Sequence, residues 1–141
     1  MVNNKIGYAC INMALSYPTK YGNKPRGTQP ITTNRSMIKR TFEDKGVDYA
    51  SELILQNVKD LNQIISWNVI NGYDFYRMSS DITPWKTEYE WDDLKDIEQI
   101  RQWFHSAGTM ATTHGIRLTT HPGPFNVLVS PHDHVVDNCV K

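Results

Sequence analysis

Residues 50–65 set the tightest limit on what this chain can fold into. Ala50, Ile54, Val58, Leu61 and Ile65 recur at three- and four-residue spacing, which makes one apolar face of an amphipathic helix. Asp48 stands where an N-cap belongs, and Asn71-Gly72 is a helix-ending pair. On both sides the period changes to two. Lys5 to Ile11 puts Ile6, Tyr8 and Cys10 on one side, and Tyr73 to Ser79 sets Phe75, Arg77 and Ser79 against Tyr76 and Met78. A second helical stripe runs through Ile97, Ile100, Phe104, Ala107 and Ala111, with Asp92 or Asp93 as its cap and Gly115 as its end. Ile116 to His121 then alternates again. The order is βαβαβ, with strands expected near 5–11, 73–79 and 116–121 and helices near 48–71 and 94–114. A further helix is expected to begin around residues 132–136. Right-handed βαβ units build parallel sheets. Three strands close nothing, so this is a small open sheet or the first part of a larger barrel.

A hydrophobic content of 39% with four Trp and seven Tyr suits a globular chain. No apolar run approaches the roughly 20 residues that span a bilayer, so no membrane partner is expected. The first residues lack the basic flank and apolar segment of a secretory signal. Cys10 and Cys139 are therefore expected to be free thiols in an intracellular protein. The net charge is zero, yet it is divided. Residues 1–46 carry eight Lys/Arg against two acids, and residues 47–141 carry seven against thirteen. The basic share lies between Lys20 and Arg40, among Pro18, Gly22, Pro25, Gly27 and Pro30. A long loop over about 17–46 is expected there. A basic loop can track a phosphate backbone, although charge alone is equally served by a solvated surface.

The chemistry is expected at the third strand's tip. Ile116–His121 delivers an imidazole to a stiff turn, Pro122-Gly123-Pro124, followed by the large aromatic Phe125. Strand ends of α/β proteins are where ligands and catalytic groups gather. A lone histidine is more often a satisfied polar residue than a ligand. Arg77, inside a strand, needs a partner if buried, or else points toward a helix layer or solvent. His105 and His114 fall on the second helix and are read as structural or solvent-facing. His132 and His134 are read as surface or capping residues.

Four strings together resemble the UV damage endonuclease family (UvdE/UvsE). They are Gly7-Tyr8-Ala9-Cys10-Ile11-Asn12, then Phe75-Tyr76-Arg77-Met78-Ser79-Ser80-Asp81, then Pro84-Trp85-Lys86-Thr87-Glu88-Tyr89-Glu90, and His121-Pro122-Gly123-Pro124-Phe125-Asn126-Val127-Leu128 with Ser130-Pro131. Their order and spacing are similar to the family's N-terminal half over the whole chain. The resemblance implies an α/β fold, the N-terminal (β/α)3 part of a TIM barrel of the endonuclease IV and xylose isomerase type, formed by residues 1–141. It implies metal-dependent incision of double-stranded DNA 5′ to UV photoproducts, with a cluster of divalent ions, usually manganese. Such ions acidify a bound water and clamp phosphoryl oxygens, which takes several His and carboxylate ligands.

By the same resemblance, His121 is a metal ligand, and Tyr8 and Asn12 line the lesion-binding cleft. Pro124 and Phe125 fall where the family has a Gln-aromatic wedge beside the damaged bases, a device that replaces lost stacking. Arg77, Asp81 and Glu88 would line the site. Two positions depart from the family: Pro124 stands where Gln is usual, and Glu88 where some members have His. The other ligands of the family come from later strands, so a complementary C-terminal half is an expected partner. The alternatives are a non-catalytic DNA-binding remnant and a sugar-isomerase-like barrel, the latter disfavoured by the Gly7–Asn12 and Tyr76–Asp81 strings.

Overall fold

Three short strands lie side by side in chain order, all parallel: β1 (Gly7–Ala9), β2 (Phe75–Met78) and β3 (Arg117–Thr120). The structure, a computed structural model, describes residues 5–120 together with 132 and 134. Tyr8, Tyr76 and Leu118 stand in one row across the sheet. Tyr76 is fully buried and Tyr8 packs on it with ring centroids 5.2 Å apart. This row faces the helices. Neighbouring residues along each strand point the other way, so Ala9, Arg77 and Thr119 form a row on the opposite face. β1 runs so close to β2 that a Cβ on Gly7 would collide with the carbonyl of Phe75. Only glycine allows that approach.

Along residues 5–120 the helices are α1 (Met13–Ser16), α2 (Pro18–Tyr21), α3 (Lys39–Asn71) and α4 (Ile97–Thr113). The expected stripe of α3 is the centre of the core. Ala50, Ile54, Val58, Leu61 and Ile65 are all buried, with Ile64 added. Ile100, Ala107 and Ala111 of α4 meet them, with Leu94 and Ile116, whereas Ile97 and Phe104 stay half-buried at the margin. Burial of these aliphatic side chains, each worth about 1.5–3 kcal/mol, holds the helix layer to the sheet.

The boundaries differ from expectation in four places, each for a local reason. β1 stops at Ala9 because Cys10 turns into the left-handed region (φ 59°) and Ile11 N–H bonds back to the Ala9 carbonyl. The segment 17–46 is not a plain loop: it holds α2 and the first turns of α3. Gly46, at φ 69° and ψ −163°, then separates these turns from the helix expected near 48–71, and Asp48 falls two residues after that break. Asp93 caps no long helix either. It forms a capping box with Glu90 around the 3-10 turn Trp91–Asp93, and α4 begins after Asp96. The helix expected near 132–136 lies outside the described residues, except for 132 and 134, and so does Cys139. No helix among the described residues is long and apolar enough to cross a membrane.

Candidate nucleic-acid interface

The C-terminal ends of the strands are stitched together by polar groups. Cys10 N–H donates to the Arg77 carbonyl at 2.7 Å, and the Tyr76 hydroxyl donates to the Cys10 carbonyl at 2.9 Å. Directly after β1, Asn12 caps α1. Its Oδ1 accepts from Leu15 N–H at 3.1 Å, and its Nδ2 donates to the Tyr8 hydroxyl at 2.7 Å. Tyr8 in turn donates to Asn68 Oδ1 at 2.6 Å. Tyr8 and Asn12 are thus brought together, but as links of a chain anchored on α3. Asn12 is only 3% exposed. Tyr8 meets Trp67 and Tyr73 edge-on, with centroids at 6.5 and 5.5 Å. A cleft of about 380 Å³ opens along Tyr8, Ile11, Asn12, Met13, Trp67 and Tyr73. Burial pushes the Tyr8 phenol up to about 12, partly offset by the hydrogen bonds from Asn12 and to Asn68.

Of the other expected site residues, Arg77, Asp81 and Glu88 are among the described ones. Arg77 lies on the sheet face that points away from the helices, between Ala9 and Thr119, and its guanidinium has no hydrogen bond or ion pair among the described residues. Arg77 is half-buried there. Asp81 is exposed in the 3-10 turn Ser80–Ile82 that follows β2. Glu88 is exposed further along the same connection, in the turn Lys86–Glu88. His121 follows Thr120 of β3 and lies, like Pro124 and Phe125, outside the described residues. His105 and His114 are exposed, on α4 and at its C-cap.

Sequence reasoning missed a polar node that fixes the rim. Asn57 on α3 is fully buried. It accepts from Arg35 N–H at 3.1 Å and donates to the Arg35 carbonyl at 3.0 Å, and more loosely to the carbonyls of Asp81 and Ile82 at 3.4 and 3.3 Å. One turn on, Asp60 is 2% exposed and accepts from Thr32 N–H at 2.9 Å and from the Arg35 guanidinium at 2.6 Å. Buried Thr33 sits 3.4 Å from the Tyr76 hydroxyl. The connection after β1 and the connection after β2 are therefore tied to the same two helical turns. The signal was present as polar residues flanking Val58 and Leu61 on the buried stripe, where an unpaired amide or carboxylate would be costly.

A metal cluster needs at least three such donors converging on one point. Among the described residues no group of three or more His, Cys, Asp or Glu is so placed.

With this geometry in place, comparison with known proteins decides the family. The profile of UV-endonuclease UvdE matches residues 4–141. The chain belongs to the UvdE family. A homologue in Acanthamoeba polyphaga mimivirus is 34% identical over 133 residues, covering 94% of this chain and 37% of its own. The UV-damage endonuclease of Schizosaccharomyces pombe is 29% identical over 97% of this chain and 21% of its own length. For the UV DNA damage endonuclease of Clostridium perfringens the identity is 28%, over 97% and 29%. The chain thus spans well under half the length of these UvdE-family relatives. The crystal structure of SacUVDE matches with a TM-score of 0.70 at 20% identity, over 96% of this chain and 41% of SacUVDE. The expected fold, a partial (β/α) arrangement of the UvdE barrel, is the one found.

Proposed function

We propose that this chain serves the incision of DNA 5′ to UV photoproducts, as part of a metal-dependent UV damage endonuclease. The observation that carries the reading is the UvdE match over residues 4–141, which includes the strings around β1, β2 and residue 121. In this reading Tyr8 and Asn12 border the lesion through the cleft they share, and Phe125 with Pro124 enters the duplex beside it. Arg77, whose guanidinium is unpaired among the described residues, neutralises phosphate. Asp81 and Glu88 line the rim. His121 is this chain's contribution to the binding of divalent ions, manganese foremost, and the other ligands come from a complementary C-terminal segment.

The test is incision of a duplex carrying a single cyclobutane dimer, in the presence of manganese. The 141-residue chain is assayed alone and mixed with the complementary part of a UvdE-family relative. No cutting by the chain alone, and cutting by the mixture that His121→Ala abolishes, is the expected result. Cutting by the chain alone would overturn the need for a second segment. Photoproduct binding without cutting in every mixture would favour a DNA-binding role without catalysis.

A further inference from the structure

The connection after β1 carries a feature that the lesion cleft does not use. No acidic residue occurs before Glu43. Within that run Tyr17 and Tyr21 are 49% and 46% exposed. They meet edge-to-face at 6.1 Å, and Lys20 Nζ lies 4.9 Å from the centre of the Tyr21 ring. Lys24 and Arg26 follow on the same segment, both exposed and without an ion pair among the described residues. Other cations nearby are already committed: Arg35 to Asp60 and Lys39 to Glu43. The segment is also held in place. Lys24 N–H bonds to the Pro18 carbonyl, Ile31 N–H to the Leu15 carbonyl, and Ser16 Oγ to the Ile31 carbonyl. Asp60 and Asn57 fix its far end through Thr32 and Arg35.

We propose that Tyr17, Lys20, Tyr21, Lys24 and Arg26 form a platform for a nucleic-acid strand with unpaired bases. An exposed ring stacks a base, and the cations take the flanking phosphates. An acidic peptide would use the cations and leave the two rings idle, whereas a strand with open bases uses both. The fixed backbone means that little ordering entropy is lost on binding. The platform deepens the DNA reading given above and rests on it for the choice of ligand.

Fluorescence anisotropy of the full chain with a short undamaged oligothymidylate, and with an abasic oligomer of equal length, tests this. Stacking of one base is worth about a 5- to 150-fold difference in affinity. The abasic oligomer is expected to bind more weakly by that order. Tyr17→Ala and Tyr21→Ala should close the gap, and Tyr17→Phe should restore it, which a mere folding defect would not allow. Lys24→Gln with Arg26→Gln should weaken both oligomers alike and lower the salt slope by about 1.4. Equal affinity for the two oligomers, Tyr17→Phe as weak as Tyr17→Ala, or equally tight binding of polyglutamate would each overturn the proposal. Because the oligomers carry no photoproduct, this outcome is separate from the incision assay.

Discussion

A carboxylate as buried as Asp60 is tolerated only when donors surround it. Thr32 N–H, Arg35, Gln56 and Gln63 all reach it. Asp60→Asn keeps the shape but turns one acceptor edge into a donor that faces Thr32 N–H or the guanidinium. The expected cost is on the order of 2–3 kcal/mol, toward the low end because Arg35 is 27% exposed and partly regains water. A shift in the urea midpoint with an unchanged slope measures it. A midpoint within experimental error of the parent would mean that the carboxylate does not hold this connection. At this scale the sequence was legible where a residue acts through its neighbours in the chain, as Gly72 does in ending α3 with a left-handed backbone. It was opaque where the partner is distant: nothing in the neighbourhood of Asn57 announces Arg35 or Ile82.

Among the elements, α3 shows most clearly what pattern reading can and cannot do. Its buried stripe was readable because burial against one sheet imposes one period. Its start was not, because the turns before Gly46 carry no such stripe: Lys39, Arg40, Glu43, Asp44 and Lys45 are exposed. Phe42 contributes by stacking on Trp85 at 5.6 Å, a contact with a segment far along the chain. Gly46 joins the two parts at a backbone geometry that side chains avoid, with open space around it. Gly46→Ala therefore meets no clash and pays only for the backbone, about 1–3 kcal/mol. Amide exchange should accelerate over residues 39–45 while the turns from Ala50 onward keep their protection. Uniform acceleration along α3 would show that the joint is not a boundary. The strands were placed correctly in order and direction but drawn too long, since alternation continues past the last ladder hydrogen bond. Of the candidate site, Tyr8 and Asn12 were recognised as neighbours, and the support behind them was not.

At the scale of the whole molecule, the buried phenols of Tyr76 and Tyr89 and the half-buried one of Tyr8 tie stability to alkaline pH. Burial pushes Tyr8 and Tyr89 up to about 12 and raises Tyr76 as well. In the unfolded chain these groups lose their protons near pH 10. The folded state binds them more tightly, so their contribution is fully present below about pH 10 and is lost as pH rises toward about 12. Unfolding midpoints should fall across that window in step with delayed phenolate absorbance in the near ultraviolet. A flat profile would mean that the three hydroxyls reach solvent. The rim itself is divided by charge: the acid-free run follows β1, and Glu88, Glu90, Asp92 and Asp93 follow β2. With a net charge of zero, the molecule has no pull toward a polyanion beyond the screening length, about 8 Å at physiological salt. Inside that distance the two sectors experience opposite forces, and the first effect of the field is a torque. The protein is turned before it is drawn in, with the β1 side toward the phosphates, so encounter is governed by orientation rather than by attraction.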